Sequence, residues 1–128
     1  MAIYLLDTSV IIDVLNQKRG RWELLESLVG AGDTLACSVV TLTEVYAGLR
    51  PKELAHAERF LAWLEQYQVD SHLARNAGLL KNEWAKKGRT LGVVDLIIAA
   101  TALAYNLPLI TDNRKDFPMP QLVLYPLP

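Results

Sequence analysis

The chain has 128 residues, 13 of them Lys or Arg and 14 Asp or Glu, for a formal net charge of −1. With 52% hydrophobic and 21% charged residues, it is too apolar to be disordered and long enough for a single domain over residues 1–128. One cysteine, Cys37, excludes an internal disulfide or a cysteine-based zinc site, and the balanced charge excludes a generally basic nucleic-acid-binding surface.

Ile3–Leu6 is a short apolar run closed by Asp7, which predicts a buried strand. Val10–Leu15 follows with helical spacing. Trp22–Val29 is a second helical stretch, stopped by Gly30 and Gly32. Thr34–Val40 is rich in β-branched and small residues and predicts a second strand. A helix is then expected from Thr41 to Leu49, and another over Glu53–Tyr67, where Leu54, Ala57, Phe60, Leu61 and Leu64 share one face. Gln68–Asp70 reads as a short strand and Ser71–Lys87 as an amphipathic helix ended by Gly88. Val94–Asn106 is an apolar helix expected to be buried on most sides. Leu107–Thr111 and Leu122–Tyr125 read as the last strands.

Strands alternating with helices predict an α/β fold of three layers, a parallel sheet between helices. The longest apolar stretch, Leu96–Tyr105, is about half of the ~20 residues that span a bilayer. Asp7 and Asp13 interrupt the apolar N-terminus, and no basic region precedes it. A cytoplasmic protein without membrane attachment is therefore expected.

The acidic residues fall at the ends of these elements. Asp7 closes the first strand, Glu44 lies early in the third helix and Asp95 opens the apolar helix, while Asp112 and Asp116 follow the strand Leu107–Thr111. In a parallel sheet such positions converge on the crevice outside the carboxyl ends of the strands. Each has a local explanation as well. Asp7 suits an N-cap, Thr41–Glu44 has the pattern of a capping box, Asp95 complements a helix dipole, and Asp112-Asn113 is ordinary turn chemistry. Yet Asp7 and Asp95 sit among strongly apolar neighbours, where an uncompensated charge is costly. Gathered acids repel one another unless a cation neutralises them. Oxygen ligands without a His/Cys set suit a hard ion, Mg²⁺ or Mn²⁺, and the chemistry of phosphodiester hydrolysis.

Four segments in order, LLDTSVII, TLTEVYAGL, GVVDLIIAATAL and LITDNRKDF, resemble PIN-domain ribonucleases, in particular the VapC-type toxins of prokaryotic toxin–antitoxin pairs. The resemblance runs from Ile3 to Phe117. It implies a PIN-like α/β/α domain with a central parallel sheet of about five strands. It also implies a Mg²⁺-dependent endoribonuclease acting on tRNA or rRNA, with Mn²⁺ as a possible substitute. The partners implied are a VapB-like antitoxin and a second copy of the chain in a homodimer. Carried onto this sequence, the catalytic acids are Asp7, Glu44, Asp95 and Asp116, with Asp7 and Asp95 as the main metal ligands. Thr8, Ser9, Thr111, Asp112 and Asn113 are expected as polar support. The fourth acidic position is open among Asp112, Asn113 and Asp116, with Asp116 favoured.

Other features carry less. Arg114 and Lys115 are the basic residues nearest the acids and the expected phosphate contacts. Lys18, Arg19 and Arg21 read as a solvated basic loop, as do Lys81, Lys86, Lys87 and Arg89. Trp22, Trp63 and Trp84 are expected to pack against the core or a partner. No glycine-rich phosphate loop or serine nucleophile elbow is present. A receiver-like domain lacks its mid-chain phospho-accepting Asp here, and a haloacid-dehalogenase-like phosphatase would need an acid where Ser9 stands. A PIN-like module that binds without cutting is the remaining alternative.

Overall fold

A computed structural model describes residues 1–128. Four strands, β1 (Ile3–Leu6), β2 (Thr34–Ser38), β3 (Glu65–Tyr67) and β4 (Leu109–Ile110), form an all-parallel sheet in the order β3-β2-β1-β4. The helices are α1 (Thr8–Leu15), α2 (Arg21–Gly30), α3 (Val39–Ala47), α4 (Leu54–Leu61), α5 (Ser71–Lys86) and α6 (Val93–Tyr105).

The strand pleat divides the core. Leu5, Ala36 and Leu109 point to one face, where they meet Leu96, Ile98 and Ala99 of α6 and Leu73 and Ala77 of α5. Their neighbours Leu6, Cys37 and Ile110 point to the other, against Val10, Ile11 and Val14 of α1, Leu25 of α2 and Phe60 of α4. A strand buried on both faces reads as a continuous apolar run, which is what IYLL and the LAC of β2 are. The three-layer α/β/α reading therefore holds. No helix is long and apolar enough to cross a membrane.

The expectation of about five strands is corrected to four. Residues near Leu122–Tyr125 reach the sheet through one isolated bridge, Leu109 to Leu124. Pro118, Pro120, Pro126 and Pro128 surround that segment and cannot donate to a ladder, so pairing cannot propagate. Element boundaries differ as well. The helix expected to Tyr67 ends at Leu61, and the strand expected at Gln68–Asp70 instead occupies Glu65–Tyr67. This strand lies at the sheet edge with Glu65 and Gln66 exposed, so it lacks the apolar signature of a central strand. The third helix starts at Val39, two residues before Thr41, because the Ser38 side chain caps it by accepting from the Val40 N–H.

From β1 the chain moves to β2 on one side, whereas β4 is added on the other. The crevice at the carboxyl ends of β1 and β4 is thus the topological switch point, where ligands bind in open α/β sheets. Asp7 directly follows β1 and Thr111 directly follows β4.

Candidate active site

Asp7 is the N-cap of α1 and is also buried, with 3% of its surface exposed. Its Oδ1 accepts from the Thr8 N–H at 2.8 Å. Its Oδ2 accepts from the Ser9 hydroxyl at 2.9 Å and the Thr111 hydroxyl at 2.7 Å. The backbone is pinned as well, since the Asp7 N–H donates to the Ile110 carbonyl at 2.9 Å. Three donors fix the carboxylate and favour its charged form, but burial outweighs them and raises its pKa, with Glu44 adding to the rise.

Glu44 lies in the second turn of α3, one turn deeper than the capping-box pattern requires. That box does not form, because Ser38 holds the cap and Thr41 is fully buried. Glu44 is instead held from another element: Thr8 Oγ1 lies 2.6 Å from its Oε1 and 3.2 Å from Thr41 Oγ1. A hydroxyl has one proton, which goes to the carboxylate and leaves the Thr41 hydroxyl to donate to Thr8.

Asp95 occupies the first turn of α6, half-buried. Helix α6 precedes β4 and runs antiparallel to it, which brings its N-terminus to the carboxyl edge of the sheet. Burial first, then Asp7, Asp116 and Glu44, push the Asp95 carboxyl up to about 6. The fourth acid of this set, Asp116, sits half-buried in a 3₁₀ turn, Arg114–Asp116, anchored by the buried Phe117 beside it. Asp7, Glu44, Asp95 and Asp116 thus share one electrostatic neighbourhood, and no lysine or arginine forms an ion pair with any of them. No three carboxylate, imidazole or thiol groups close around a common point tightly enough to cage an ion. Mg²⁺ does not need such a cage, because it is commonly held by one or two carboxylates and keeps several waters.

The residues after β4 divide. Thr111 faces Asp7, and its oxygen accepts from the Asn113 N–H at 2.9 Å. The Asp112 side chain is 4% exposed and engaged elsewhere, its Oδ1 accepting from Arg21 Nε at 3.0 Å and Arg21 Nη2 at 2.7 Å. Arg21 is therefore buried, at 5% exposure, which corrects its reading as a solvated loop residue. Nothing local announces this contact, because its partner lies 91 positions away. Arg114 and Lys115 are exposed; the Arg114 guanidinium donates to the Tyr125 carbonyl at 3.4 Å, and the Lys115 carbonyl accepts from Arg89.

The fold is thus an α/β sheet with a set of acids, unpaired with any lysine or arginine, at its switch point, and comparison with known proteins gives its class. Residues 4–118 match the PIN domain; the chain belongs to the PIN-domain family. Its relatives there carry VapC names. "Ribonuclease VapC19" of Mycobacterium tuberculosis is 34% identical over 115 residues, covering 90% of this chain and 92% of that protein. The "tRNA(fMet)-specific endonuclease VapC" of Shigella flexneri is 28% identical, with 91% of each chain covered. A similar solved structure is VapBC2 from Rickettsia felis bound to a DNA fragment from its promoter, with a TM-score of 0.84 and 29% identity over 96% of this chain and 97% of that one.

Proposed function

We propose that this chain is a metal-dependent endoribonuclease, the toxin of a VapBC-like toxin–antitoxin pair, that hydrolyses phosphodiester bonds in cellular RNA. The observation that carries the reading is the set Asp7, Glu44, Asp95 and Asp116 gathered at the β1/β4 crevice with no cationic side chain to balance it. Relatives named ribonucleases of the VapC type support it. The tRNA named for the Shigella relative makes a structured RNA, tRNA or an rRNA loop, the substrate class.

Asp7 and Asp95 would hold Mg²⁺, or Mn²⁺ in its place. The fit rests on an all-oxygen donor set and on repulsion that a cation relieves. When bound, a divalent ion supplies positive charge to the phosphoryl oxygens and acidity to a water nucleophile. The protein groups do the positioning. The Thr111 and Ser9 hydroxyls and the Thr8 N–H hold Asp7 in one orientation. Thr8 occupies Glu44 Oε1 and leaves Oε2 to orient the attacking water. Asp116, which acts electrostatically on Asp95, adds negative charge to the same set. Arg114 and Lys115 contact RNA phosphates at the rim.

The VapB-like antitoxin is assigned to a groove of about 800 Å³ between α2 and α4, walled by Trp22, Phe60 and Trp63, with Trp63 77% exposed. A homodimer is assigned to the α5–α6 face, where Leu79 is exposed beside Leu103. The compartment is the cytoplasm, where tRNA and ribosomes are found.

The test is cleavage of total bacterial RNA by the purified chain, with new 5′ ends mapped by sequencing. Discrete cuts that require Mg²⁺ or Mn²⁺, stop with EDTA and vanish in Asp7→Asn are expected. Cutting by Asp7→Asn at the wild-type rate would overturn the metal assignment. RNA binding without cutting under every metal condition would establish the non-catalytic alternative.

A further inference from the structure

Beside the acids of the crevice lies a second group of charged side chains that the mechanism above does not use. Asp112 Oδ1 takes two donors from Arg21, and Arg19 Nη1 stands 3.8 Å away. Asp112 Oδ2 is buried with no hydrogen-bond donor, and so is Asp13 Oδ2 on α1, to which Arg19 Nε comes no nearer than 3.7 Å. A single proton shared between the two carboxyls would satisfy both oxygens. Consistently, burial and then Asp112 raise the Asp13 pKa, while Asp112 is lowered by Asp13 and Arg21 against the cost of its burial. The loop that carries Arg19 is also unusual in its backbone. Gln17 and Arg19, neither of them glycine, adopt left-handed conformations with φ of 55° and 58°, a strain that usually persists at functional sites. Arg21 Nη1 also donates to the Arg19 carbonyl at 3.2 Å.

A buried ion pair adds little net stability by itself, so its placement is the informative feature. Asp112 lies between Thr111, whose hydroxyl holds Asp7, and Asn113, whose N–H holds that hydroxyl's oxygen. The Asp112 N–H faces the Ser9 hydroxyl at 3.4 Å, and Ser9 is the other side-chain donor to Asp7. Anchoring the Asp112 side chain therefore fixes both hydroxyls that orient the Asp7 carboxylate.

We propose that Arg21 and Asp112, with Asp13 as third member, form a positioning network that holds the Thr111 and Ser9 hydroxyls against Asp7. None of the three touches the reacting atoms. The proposal rests on the reading of Asp7 as a metal ligand, and partners at this remove from a metal are worth roughly 10–100-fold in affinity or activity.

The experiment compares Asp112→Asn, Arg21→Lys and Asp7→Asn in the full chain by RNA-cleavage kinetics, Mn²⁺ titration and hydrogen exchange of the Asn113 amide without metal. Asp112→Asn is expected to lower kcat by about 10–100-fold with KM for RNA unchanged, to weaken Mn²⁺ binding by a similar factor and to speed Asn113 exchange. Arg21→Lys, which keeps the charge and loses the fork, falls between. Wild-type kcat, Mn²⁺ affinity and exchange in a folded Asp112→Asn protein, with Asp7→Asn inactive, would overturn the network and leave the metal reading standing. Activity in Asp7→Asn would overturn both. If Asp112→Asn does not fold, Asp13 decides. Asp13→Asn can donate to Asp112 Oδ2 and should retain about tenfold more kcat than Asp13→Ala; equal loss in the two overturns the proposal.

Discussion

Two groups of carboxylates flank the same strand ends, and they are built in opposite ways. Asp13 and Asp112 are served by Arg19 and Arg21, so their charge is compensated inside the protein. Asp7 takes hydroxyl and backbone donors and Glu44 one hydroxyl, yet none of Asp7, Glu44, Asp95 and Asp116 has a cation beside it, and Asp95 is pushed up to about 6 by burial and its acidic neighbours. The difference teaches where to look for chemistry. A compensated group is balanced within the protein, whereas an uncompensated one is open to a positive ligand.

The widest separation between the groups should come from Asp95→Asn. It removes the charge of a proposed metal ligand without removing packing, so cleavage should fall by more than the roughly 100-fold that bounds a supporting residue, while circular dichroism stays native. Arg21→Ala should do the reverse on the stability axis. It strands the buried Asp112 carboxylate and should destabilise the fold by about 3–5 kcal/mol in urea unfolding. Equal stability of Arg21→Ala and wild type would erase the distinction between the groups.

Thr8→Val sharpens the comparison from inside the uncompensated group. It frees Glu44 Oε1 and should cost about tenfold in kcat, checked at saturating RNA. Acidity offers a finer probe. Folded Asp95 keeps its proton up to about pH 6, whereas the unfolded chain releases it near pH 3.9. Between those values the native state binds more protons than the unfolded one, so metal-free stability is gained as pH falls from 6 towards 4 and lost as it rises again. Asp95→Asn should therefore melt about 2–5 °C higher than wild type at pH 8 without metal, with the gap closing at pH 5. The smallest effect is expected at the rim. Arg114→Ala and Lys115→Ala should each reduce the salt slope of RNA binding by about 1, with kcat unchanged.

Much of the uncompensated group was legible in the sequence, because its members sit at element ends that periodicity locates well. LLDTSV and GVVDLI put an acid where an apolar run stops, and a parallel sheet brings such stops to one edge. The compensated group was not legible. Asp112 and Asn113 look alike as turn residues, and only the fold sends one side chain to Arg21 and leaves the other at the surface. Glu44 shows a second limit. Its capping-box pattern with Thr41 is locally sound, but Ser38 at the end of β2 takes the cap first and releases Glu44 to Thr8, 36 residues earlier. At β3, burial sets the limit: an edge strand of three residues with polar side chains carries no alternation to read.

The segment after Phe117 has a bearing on how the chain behaves in a crowd. Its Val123 carbonyl accepts from the Leu109 N–H at 2.8 Å, its Tyr125 N–H donates to the Leu109 carbonyl at 2.8 Å, and the Tyr125 ring stands edge-on to Tyr4 at 5.4 Å. These contacts use up the outer hydrogen-bonding groups of Leu109, the first residue of β4. Pro126 and Pro128 then deny donors to any strand that would add beyond them. At the opposite margin, β3 is three residues long and presents Glu65 and Gln66. The sheet is thus blunted on both sides against edge-to-edge assembly, and a copy cut short after Pro120 would offer β4 as a template for another chain's strand.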